Sequence, residues 1–473
     1  MEMLVAGRRR AGAAMDEVLN PYSGEVVDVV PRATAEDAEE ALAAAVEGAK
    51  AMRRLSPHDR AAIVTRAADL IEEGAEEFAR TITAEEGKPL AEAMTEATRT
   101  PLLLRMAASE AARMHGETIP IGAAPGNEDK LGFTLREPCG VVVAITPFNY
   151  PLLLVAHKVG PALAAGNAVI LKPASMTPLT ALRLTDVFLE AGLPELALQC
   201  ITGPGGELGA VLCADPRVRK ISFTGSTAVG DEITRVAGVK RLSLELGSNC
   251  PLVVLPDADV EAVAAATALG GYANAGQACI SVQRVLVDRG VYGDYVDALR
   301  PKVEALAVGD PLADDTKVSA LITEAEADRV ASVIGAAVSD GASLVTGGTR
   351  EGGVVAPAVI ADVSPAMEIS REELFGPAVA VTPVSGIEEA IAYANDSGFG
   401  LGAGIFTQDV TSALRFAREV ESGNVQINQT PLWRADVMPY GGLKGSGIGK
   451  EGPRYAVEEM TELKAVVFHG LTP

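Results

Sequence analysis

One cysteine of this sequence has neighbours that suit a nucleophile. Cys279 ends the small-residue segment 276–279 (GQAC), between a predicted helix ending near Asn274 and a predicted strand starting near Arg284. A turn of small residues leaves a thiol approachable, and a thiolate is a strong nucleophile. An isolated cysteine is more often buried and inert, and we assign that role to the other four. These are Cys139, Cys200, Cys213 and Cys250.

Two further side chains have the chemistry that a cysteine needs to oxidise an aldehyde with a nicotinamide cofactor. This reaction requires a nucleophile, a donor to the oxyanion that forms, and a base for hydrolysis of the thioester. We interpret Cys279 as the nucleophile, the Asn149 amide and the Cys279 N–H as the oxyanion donors, and Glu245 as the base. Lys172 would anchor the cofactor ribose. Taken singly, an asparagine is more often a turn residue and a buried glutamate a structural acceptor.

These residues follow apolar runs that predict neighbouring strands. Between residues 141 and 244, Val/Ile/Leu-rich runs alternate with helical segments, a repeated βαβ pattern typical of a parallel sheet with helices on both faces. The runs are 141–145, 168–171, 198–202, 220–224 and 241–244. Ligands bind beyond the carboxyl ends of such strands. Asn149, Lys172, the segment 224–226 and Glu245 follow four of the runs, so we expect them to converge.

A phosphate site is predicted at one of these strand ends. Ser226 can begin a helix that extends to about Ala237, and the Gly225 turn would expose backbone N–H groups to a pyrophosphate. Without the neighbouring residues, an ordinary N-cap serine would be the preferred interpretation. Neither this segment nor the Gly-rich segment 203–206 has the G-x-G-x-x-G spacing of the usual dinucleotide loop.

The rest of the chain predicts a second α/β domain and a group of N-terminal helices. Five more candidate strands lie at 251–255, 284–287, 378–381, 403–406 and 424–427, and the domain boundary falls near 246–250. A capping box at residues 34–37 begins a helix that reaches Lys50, and helices follow near 58–74 and 90–114. Proline and glycine interrupt residues 116–138, which predicts a projecting hairpin.

Composition limits the class of protein. A chain of 473 residues needs two or more domains, and a net charge of −23 disfavours nucleic acid or an anionic membrane as partner. The sequence has no apolar stretch of membrane-spanning length and no continuous apolar secretion segment. The five cysteines show no CxxC or Cys/His spacing. We therefore expect neither disulfides nor a metal site, and a cytoplasmic location.

Six sequence blocks resemble the aldehyde dehydrogenase superfamily, in the family's order and over essentially the whole chain. They are 146–151 (TPFNYP), 166–173 (GNAVILKP), 223–226 (FTGS), 244–247 (LELG), 276–279 (GQAC) and 373–377 (ELFGP). The resemblance implies an α/β fold with a Rossmann-like parallel-sheet cofactor domain, an α/β catalytic domain and a small β element for oligomerisation.

The resemblance also implies domain bounds and an assembly. The cofactor domain would comprise 1–115 and 139–246, the catalytic domain 247–445, and the bridging element 116–138 and 446–473. In that element the segment 465–468 would pair with the excursion at 116–138. The resulting sheet would join the subunits of a homodimer or homotetramer.

The family's functional residues have counterparts here. The resemblance implies Cys279 as nucleophile, Glu245 as general base and Asn149 as oxyanion donor, with NAD or NADP as cofactor and a small-molecule aldehyde as substrate. The residues it places around the cofactor are Ile145, Thr146, Pro147, Phe148, Lys172, Ser175, Gly205, Phe223, Thr224, Gly225, Ser226, Val229, Leu246, Gly247, Glu373 and Phe375.

Two departures from the family pattern lie near the cofactor. Members strict for NAD often carry glutamate three residues after the cofactor lysine, where it binds the ribose hydroxyls, whereas this chain has Ser175. Without that carboxylate a ribose 2'-phosphate meets less repulsion, so NADP is permitted as well as NAD. Ser248-Asn249 replaces the commoner Gly-Lys, and we expect that change to be local and without consequence for the chemistry.

The C-terminal segments 438–447 and 451–455 are similar to a subgroup that acts on lactaldehyde, glyceraldehyde 3-phosphate and phosphonoacetaldehyde. We therefore expect a short, polar and often anionic aldehyde as the substrate. Arginine binds phosphate, phosphonate and carboxylate groups bidentately. The candidate contacts are Arg99, Arg105, His157, Arg284, Arg434 and Arg454, with Trp433 as a candidate wall of the tunnel.

Plainer interpretations accompany each of these residues and the function itself. Any one arginine is more often in a solvated ion pair, His157 is equally explained as a core histidine, and Trp433 as a core anchor. One rival function is an acylating dehydrogenase that resolves the thioester with coenzyme A, against which Glu245 argues. The other is a catalytically silent structural protein, against which the set of Cys279, Glu245 and Asn149 argues.

Overall fold

Two largely parallel sheets, one in each half of the chain, organise the fold in the computed structural model, which describes residues 1–471. Through residue 145 the elements are β1 (Met3–Val5), β2 (Arg8–Arg10), β3 (Met15–Leu19), β4 (Val26–Pro31), α1 (Ala35–Arg54), α2 (Pro57–Glu73), α3 (Ala75–Glu86), α4 (Leu90–Arg113), β5 (Thr118–Ile119), β6 (Leu131–Pro138) and β7 (Val141–Ile145). The next are α5 (Leu153–Ala165), β8 (Ala168–Lys172), α6 (Leu179–Glu190), β9 (Leu198–Cys200), α7 (Gly205–Ala214), β10 (Val218–Thr224), α8 (Thr227–Ala237) and β11 (Arg241–Glu245).

The second half of the chain continues the alternation of strands and helices. Its elements are β12 (Pro251–Val254), α9 (Val260–Gly270), β13 (Arg284–Asp288), α10 (Tyr292–Glu304), α11 (Glu324–Ser339), β14 (Ser343–Thr346), β15 (Arg350–Glu351), β16 (Val354–Val355), β17 (Ala358–Ala361), α12 (Glu368–Arg371), β18 (Ala378–Val384), α13 (Gly386–Asn395), β19 (Gly402–Phe406), α14 (Val410–Glu419), β20 (Asn424–Ile427), β21 (Gly447–Ile448), α15 (Pro453–Glu459) and β22 (Thr461–Phe468).

The first sheet has the strand order β2-β1-β9-β8-β7-β10-β11-β21. Its five parallel strands, β7 to β11, correspond to the five predicted runs. The strand β7 is apolar throughout because successive side chains enter different cores: Val142 packs in the core with α5 and α6, and Val143 in the core with α1 and α7. Helices thus cover both faces, as predicted. The short antiparallel edge strands β1, β2 and β21 were not predicted.

The second sheet has the order β14-β17-β18-β13-β12-β19-β20 and contains all five strands predicted beyond residue 250. The prediction ended one strand at 381, whereas β18 continues to Val384 and includes Pro383. Proline lacks an N–H, but the carbonyl of a strand can still pair, so this strand does not stop there. The structure also adds β17, which pairs in parallel with β18, and β14, which pairs antiparallel with β17.

The N-terminal helices form where capping signals predict them. The Thr34 hydroxyl accepts a hydrogen bond from the Asp37 N–H, and the Asp37 carboxylate accepts one from the Thr34 N–H, which completes the predicted capping box of α1. A second capping box between Ser56 and Asp59 begins α2. The helix α4 packs against α2, α3 and α5. Within residues 1–471, none of the helices combines the length and low polarity that a membrane crossing requires.

A small sheet of order β22-β6-β5 forms the predicted excursion. Residues 461–468 pair antiparallel with residues 131–138, and Phe133 stacks on Phe468 with ring centroids 6.1 Å apart. The pairing of these two segments agrees with the prediction, and its role in joining subunits stays a prediction. Other residues of the predicted segment 446–473 lie elsewhere: β21 pairs with β11, and α15 packs on α5 and α4. Its last two residues, 472 and 473, lie outside the described residues. The pairing of β21 with β11 supplies hydrogen-bond partners to the edge of the first sheet.

Candidate active site

A cleft of about 1130 Å³ opens at the carboxyl ends of β7, β8 and β10. This is where the chain order of the strands reverses direction across the sheet, the usual position for a dinucleotide in such a fold. Every residue that the resemblance places around the cofactor lies on the wall of this cleft. Asn149 and Cys279 also lie on the wall, whereas Glu245 and the candidate substrate contacts lie outside it.

The polar groups of the cleft suit the ribose and phosphate groups of a dinucleotide. The Lys172 ammonium donates a 2.7 Å hydrogen bond to the Pro173 carbonyl, and burial lowers its pKa to about 8. The hydroxyls of Thr146 and Thr224 are buried and have no hydrogen-bond partner among residues 1–471. Because buried polar groups are nearly always paired, these hydroxyls fit a site whose partner is a polar ligand.

The predicted phosphate site has the expected local geometry. The Ser226 hydroxyl accepts a hydrogen bond from the Val229 N–H at 3.4 Å and caps the N-terminus of α8. A Cβ at Gly225 would meet the Phe223 ring at 2.5 Å, so this turn requires glycine. The free backbone N–H groups of a helix N-terminus attract an anion.

Ser248 and Asn249, where the sequence departs from the family pattern, form hydrogen bonds to the loop that carries Glu373. The Ser248 N–H donates a 2.8 Å hydrogen bond to the Glu373 carboxylate, and burial raises the pKa of Glu373 to about 7. The Asn249 amide donates to the carbonyls of Ser370 and Glu372. Residues 248 and 249 therefore position the segment that carries Glu373, a role that the sequence analysis missed. Ser175 donates to the Gly203 carbonyl at 2.8 Å.

Cys279 follows a left-handed turn rather than a helix end. The helix α9 stops at Gly270, not near Asn274 as predicted, and three successive residues then adopt positive φ: Asn274 (50°), Ala275 (53°) and Gly276 (73°). Positive φ is unfavourable for residues other than glycine. At Gly276 a Cβ would lie 2.1 Å from the Gly376 carbonyl oxygen. Position 276 therefore requires glycine, because the backbone of Gly376 packs directly against the turn.

The Asn149 side chain faces the loop that carries Cys279. Its amide donates a 2.8 Å hydrogen bond to the Gln277 carbonyl, and its Oδ1 has no partner among the described residues. The Asn149 backbone carbonyl accepts hydrogen bonds from Lys88 at 2.7 Å and from Asn274 at 3.2 Å. The Lys88 ammonium also contacts Glu96 at 2.6 Å. The sequence analysis missed these residues, which fix the position of Asn149.

Glu245 ends β11 and is buried. Burial, together with the nearby charge of Glu451, raises its pKa well above the ordinary value. A raised pKa makes a carboxylate a stronger base, which suits the removal of a proton from water. Glu245 is also one of the charged groups that face the Cys279 thiol.

The nearest polar partner of Cys279 is a residue that the sequence analysis did not single out. The Cys279 Sγ and the Tyr440 hydroxyl are 2.9 Å apart, and either can be the donor. Burial raises the pKa of the thiol to about 12, while the hydrogen bond with Tyr440 acts in the opposite direction. The Arg434 guanidinium lies over the Tyr440 ring, 3.7 Å from its centroid.

A buried ionic cluster extends from Arg434 on the side away from the cleft. The Arg434 guanidinium lies 3.3 Å from Glu451 and 3.4 Å from the His157 Nδ1. The His157 Nε2 lies 3.4 Å from Asp436, and Asp436 accepts two hydrogen bonds from Arg99, at 2.7 and 2.8 Å. Glu451 also contacts a second cation, the Lys158 ammonium, at 2.8 Å.

Comparison with known families decides the class of this site. The family model described as "Aldehyde dehydrogenase family" matches residues 9–466. The chain belongs to the aldehyde dehydrogenase family. This aldehyde dehydrogenase therefore oxidises aldehydes and uses NAD or NADP as its cofactor. Its enzyme class decides against the structural protein that the sequence analysis left open.

Individual relatives cover nearly the whole of this aldehyde dehydrogenase. A 3-sulfolactaldehyde dehydrogenase from Priestia aryabhattai is 44% identical over 467 residues, which cover 99% of this chain and 98% of the relative. The NADP-dependent glyceraldehyde-3-phosphate dehydrogenase of Bacillus halodurans C-125, solved with NADP, has a TM-score of 0.97 and 34% identity over 99% of each chain. Aldehyde dehydrogenase 21 of Physcomitrella patens, solved with the reaction product succinate, has a TM-score of 0.96 and 36% identity over 99% of this chain and 98% of that one.

The structure separates the candidate substrate contacts of this aldehyde dehydrogenase into two groups. Arg99, His157 and Arg434 belong to the ionic cluster beside Cys279. The others have partners elsewhere or are exposed. Arg105 pairs with Asp69 and Glu72, Arg284 donates to the carbonyls of Asn249, Tyr393 and Ala394, Arg454 pairs with Glu458, and Trp433 is half exposed. The structure thus does not bring Arg105, Arg284 or Arg454 to the thiol.

Proposed function

We propose that this aldehyde dehydrogenase oxidises a short aldehyde carrying an anionic group, through a thioester on Cys279. The observation that carries the proposal is the short chain of contacts from thiol to cation. Tyr440 touches the Cys279 sulfur, and Arg434 covers the Tyr440 ring. A guanidinium therefore lies one tyrosine side chain away from the nucleophile. This spacing suits an aldehyde with its anionic group only a few bonds from the carbonyl.

The charges of the cluster favour an anion. Arg99, Lys158 and Arg434 are cations, and they face two ionised carboxylates. Lys158 and Arg434 lower the pKa of Glu451, and hydrogen bonds with His157 and Arg99 lower that of Asp436, in both cases against the effect of burial. His157 is neutral at pH 7, because burial and Arg434 lower its pKa to about 4. Within this cluster the three cations therefore outnumber the two carboxylates.

The Arg434 side chain is not fully paired. It is 9% exposed, and its Nε is buried without a hydrogen-bond partner among residues 1–471. A buried guanidinium N–H that lacks an acceptor is costly. A sulfonate, phosphate or carboxylate of the substrate would supply that acceptor.

The residues around the thiol then have successive tasks. The Cys279 thiolate attacks the aldehyde carbon, a C–S bond forms, and the Asn149 amide and the Cys279 N–H stabilise the oxyanion. The cleft lined by Lys172 and Ser226 would hold NAD or NADP, which would supply the hydride acceptor for this oxidation. Glu245 removes a proton from a water molecule, which attacks the thioester, breaks the C–S bond and releases the carboxylate product.

The relatives support an anionic substrate. The names and titles of the three proteins mention sulfolactaldehyde, glyceraldehyde 3-phosphate and succinate, and each of these carries an anionic group in addition to the reacting carbon. The anions are a sulfonate, a phosphate and a carboxylate. We propose a substrate of the same class for this enzyme, without choosing among the three anions.

Matched pairs of aldehydes test the proposal. Steady-state kcat/KM is measured with succinate semialdehyde against butanal, and with 3-sulfolactaldehyde against lactaldehyde, using NAD+ and NADP+. A charge-assisted contact to Arg434 is worth about 2 kcal/mol, so at least one anionic aldehyde should exceed its neutral counterpart about 30-fold. Equal values within each pair would contradict an anionic substrate.

Two further measurements test the thioester and its hydrolysis. Acid quenching during turnover, followed by peptide mass spectrometry, should find the acyl group on Cys279, and Cys279→Ser should form no NADH or NADPH. Turnover should proceed without coenzyme A. A requirement for coenzyme A would instead identify the acylating dehydrogenase that the sequence analysis left open.

The small sheet supports a proposal about assembly. We propose that β5, β6 and β22 join subunits of a homodimer or homotetramer, because several large apolar side chains of this sheet are exposed. They are Leu131, Leu135, Leu463, Val467 and Phe468. A cytoplasmic location stays a prediction, and the five cysteines, all free, suit a reducing compartment.

A further inference from the structure

We infer that Tyr440 is a catalytic residue, which stabilises the Cys279 thiolate by donating its phenolic hydrogen bond to the sulfur. The inference rests on the proposed function, because it takes Cys279 as the nucleophile. It starts from the 2.9 Å contact between the Tyr440 oxygen and Sγ. This is the side-chain hydrogen bond that the structure gives to Cys279 within residues 1–471.

A buried thiol needs such a partner. Cys279 is half-buried at the wall of the cleft, and this burial disfavours the thiolate. The other groups that face the sulfur give little help, because Glu245, Cys250 and Tyr150 are neutral or negative, and only Arg434 is a cation. The Arg434 guanidinium contacts the ring of Tyr440 and the Glu451 carboxylate, and has no hydrogen bond to the sulfur.

Tyr440 can serve both protonation states of the thiol. A phenol is a donor and an acceptor, and its hydrogen rotates to suit its partner. With the thiol protonated, S–H donates to the phenolic oxygen. Once that proton has passed to solvent water in the cleft, on whose wall Cys279 lies, the Tyr440 O–H donates to the thiolate, and such charge-assisted bonds are stronger than neutral ones.

Arg434 makes Tyr440 a better donor. The guanidinium lies over the ring face, 3.7 Å from its centroid. There its positive charge attracts the electrons of the ring. Burial raises the pKa of Tyr440 well above its ordinary value, and Arg434 acts in the opposite direction. The cation therefore makes the O–H more acidic than burial alone would leave it, and a more acidic donor forms a stronger bond to a thiolate. The cation thereby acts on the sulfur through Tyr440.

The same bond is used at two steps. At the first, the thiolate loses its charge as the C–S bond forms, and the hydrogen bond is weakened. At the last, water attack breaks the C–S bond and returns the electron pair to sulfur, and the Tyr440 O–H again donates to it. Tyr440 thus lowers the energy of the attacking nucleophile and of the leaving group, whereas the oxyanion is held by Asn149.

Alkylation of Cys279 by iodoacetamide tests the inference without substrate or cofactor. Below the midpoint of its pH profile, the alkylation rate is proportional to the fraction of thiolate. Tyr440→Phe keeps the ring under Arg434 and removes the donor. We expect the rate at Cys279, followed by peptide mass spectrometry from pH 6 to 10, to fall about tenfold at each pH, which corresponds to a rise of about one unit in the thiol pKa.

The matched control is Tyr295→Phe. Tyr295 is also fully buried, and its hydroxyl bonds to Thr267 in the core of the second α/β unit. Its removal should leave alkylation of Cys279 unchanged. An alkylation rate in Tyr440→Phe within twofold of the wild-type rate would overturn the inference.

A second variant keeps the test decisive if Tyr440→Phe does not fold, as judged by its melting curve. Site-specific replacement of Tyr440 by a fluorotyrosine retains the shape and makes the phenol more acidic, so alkylation at Cys279 should become faster. An unchanged or slower rate would overturn the inference. Cys279→Ser separates it from the proposed function, since NADH formation by that variant would contradict Cys279 as the nucleophile whatever the result at Tyr440.

Discussion

The two sides of Cys279 are built in different ways. On the cofactor side, much of the wall consists of residues at the ends of β7, β8 and β10, and its polar groups include threonine hydroxyls that lack partners among residues 1–471. On the other side, charged residues form a buried cluster of ion pairs. That cluster combines residues from α4 and α5 with residues of the segment 434–451, which is 337 positions from Arg99 at Asp436 and 293 positions from Lys158 at Glu451.

The two sides therefore obtain their specificity from different sources. A parallel sheet brings its strand ends together whatever the remaining sequence, so the cofactor side follows from topology. Buried charges are stable only when paired, so each residue of the ionic cluster depends on its partners from other elements. The cofactor side should therefore tolerate single substitutions better than the ionic side, and the following variants test this comparison.

The largest effect is expected for Glu245→Gln, at the boundary between the two sides. Without a base the thioester should persist, so turnover should fall about 10³-fold while the first equivalent of NADH or NADPH still forms in a burst. Rapid-mixing absorbance at 340 nm measures both phases. The control is Glu419→Gln, on the surface beside Arg415. Loss of the burst itself would show that Glu245 acts before hydrolysis.

Removal of the buried histidine should alter stability at acid pH. The pKa of His157 is lowered to about 4 by burial and Arg434, whereas an unfolded histidine titrates near 6.5. Between these values the unfolded chain binds a proton that the folded chain does not, so stability decreases as the pH falls from about 6.5 to 4. This loss is roughly 3 kcal/mol.

His157→Gln should remove that part of the acid sensitivity. Urea unfolding at pH 7 and at pH 4.5 gives the free energy of unfolding for wild type and variant. The difference between the two pH values should be smaller in the variant. The exposed His115, replaced in the same way, is the control. Identical pH dependence of wild type and His157→Gln would contradict a neutral buried histidine.

Substitution of Arg434 tests the ionic side with the substrate. Arg434→Gln should lower kcat/KM for the preferred anionic aldehyde about 30-fold, because a charge-assisted contact of about 2 kcal/mol is lost. Neutral aldehydes should lose far less, and they control for damage to the cluster. Arg105→Gln, at an arginine that pairs on the surface, should leave both unchanged. Equal losses for anionic and neutral aldehydes would remove Arg434 from substrate recognition.

The smallest effect is expected on the cofactor side. Ser175→Glu places a carboxylate on the wall of the cleft, where it should repel a ribose 2'-phosphate and accept hydrogen bonds from ribose hydroxyls. The ratio of kcat/KM for NADP+ to that for NAD+ should fall about tenfold, or about 1.4 kcal/mol. Ser175→Ala controls for loss of the bond to Gly203. An unchanged ratio would place the 2'-position away from Ser175.

Several errors of the sequence analysis share a physical cause. The helix before Cys279 ends four residues earlier than predicted, and Asn274 and Ala275 then adopt positive φ, which an alanine does not indicate. Ser248-Asn249 looked like a local change, but its hydrogen bonds reach Ser370, Glu372 and Glu373. In each case, contacts between residues distant in sequence decide the conformation.

The sequence by itself determined the parallel strands, the capped helices, the cofactor wall and the candidate nucleophile. The strands and helices follow from periodicity and capping, which are properties of neighbouring residues, whereas most residues of the cofactor wall were predicted from the family resemblance. The tertiary structure was needed to show that Arg99, His157 and Arg434 share one buried cluster while Arg105 and Arg284 have other partners, and that Tyr440 touches the sulfur. A buried charge requires a partner, and packing, rather than proximity along the chain, determines which partner it finds.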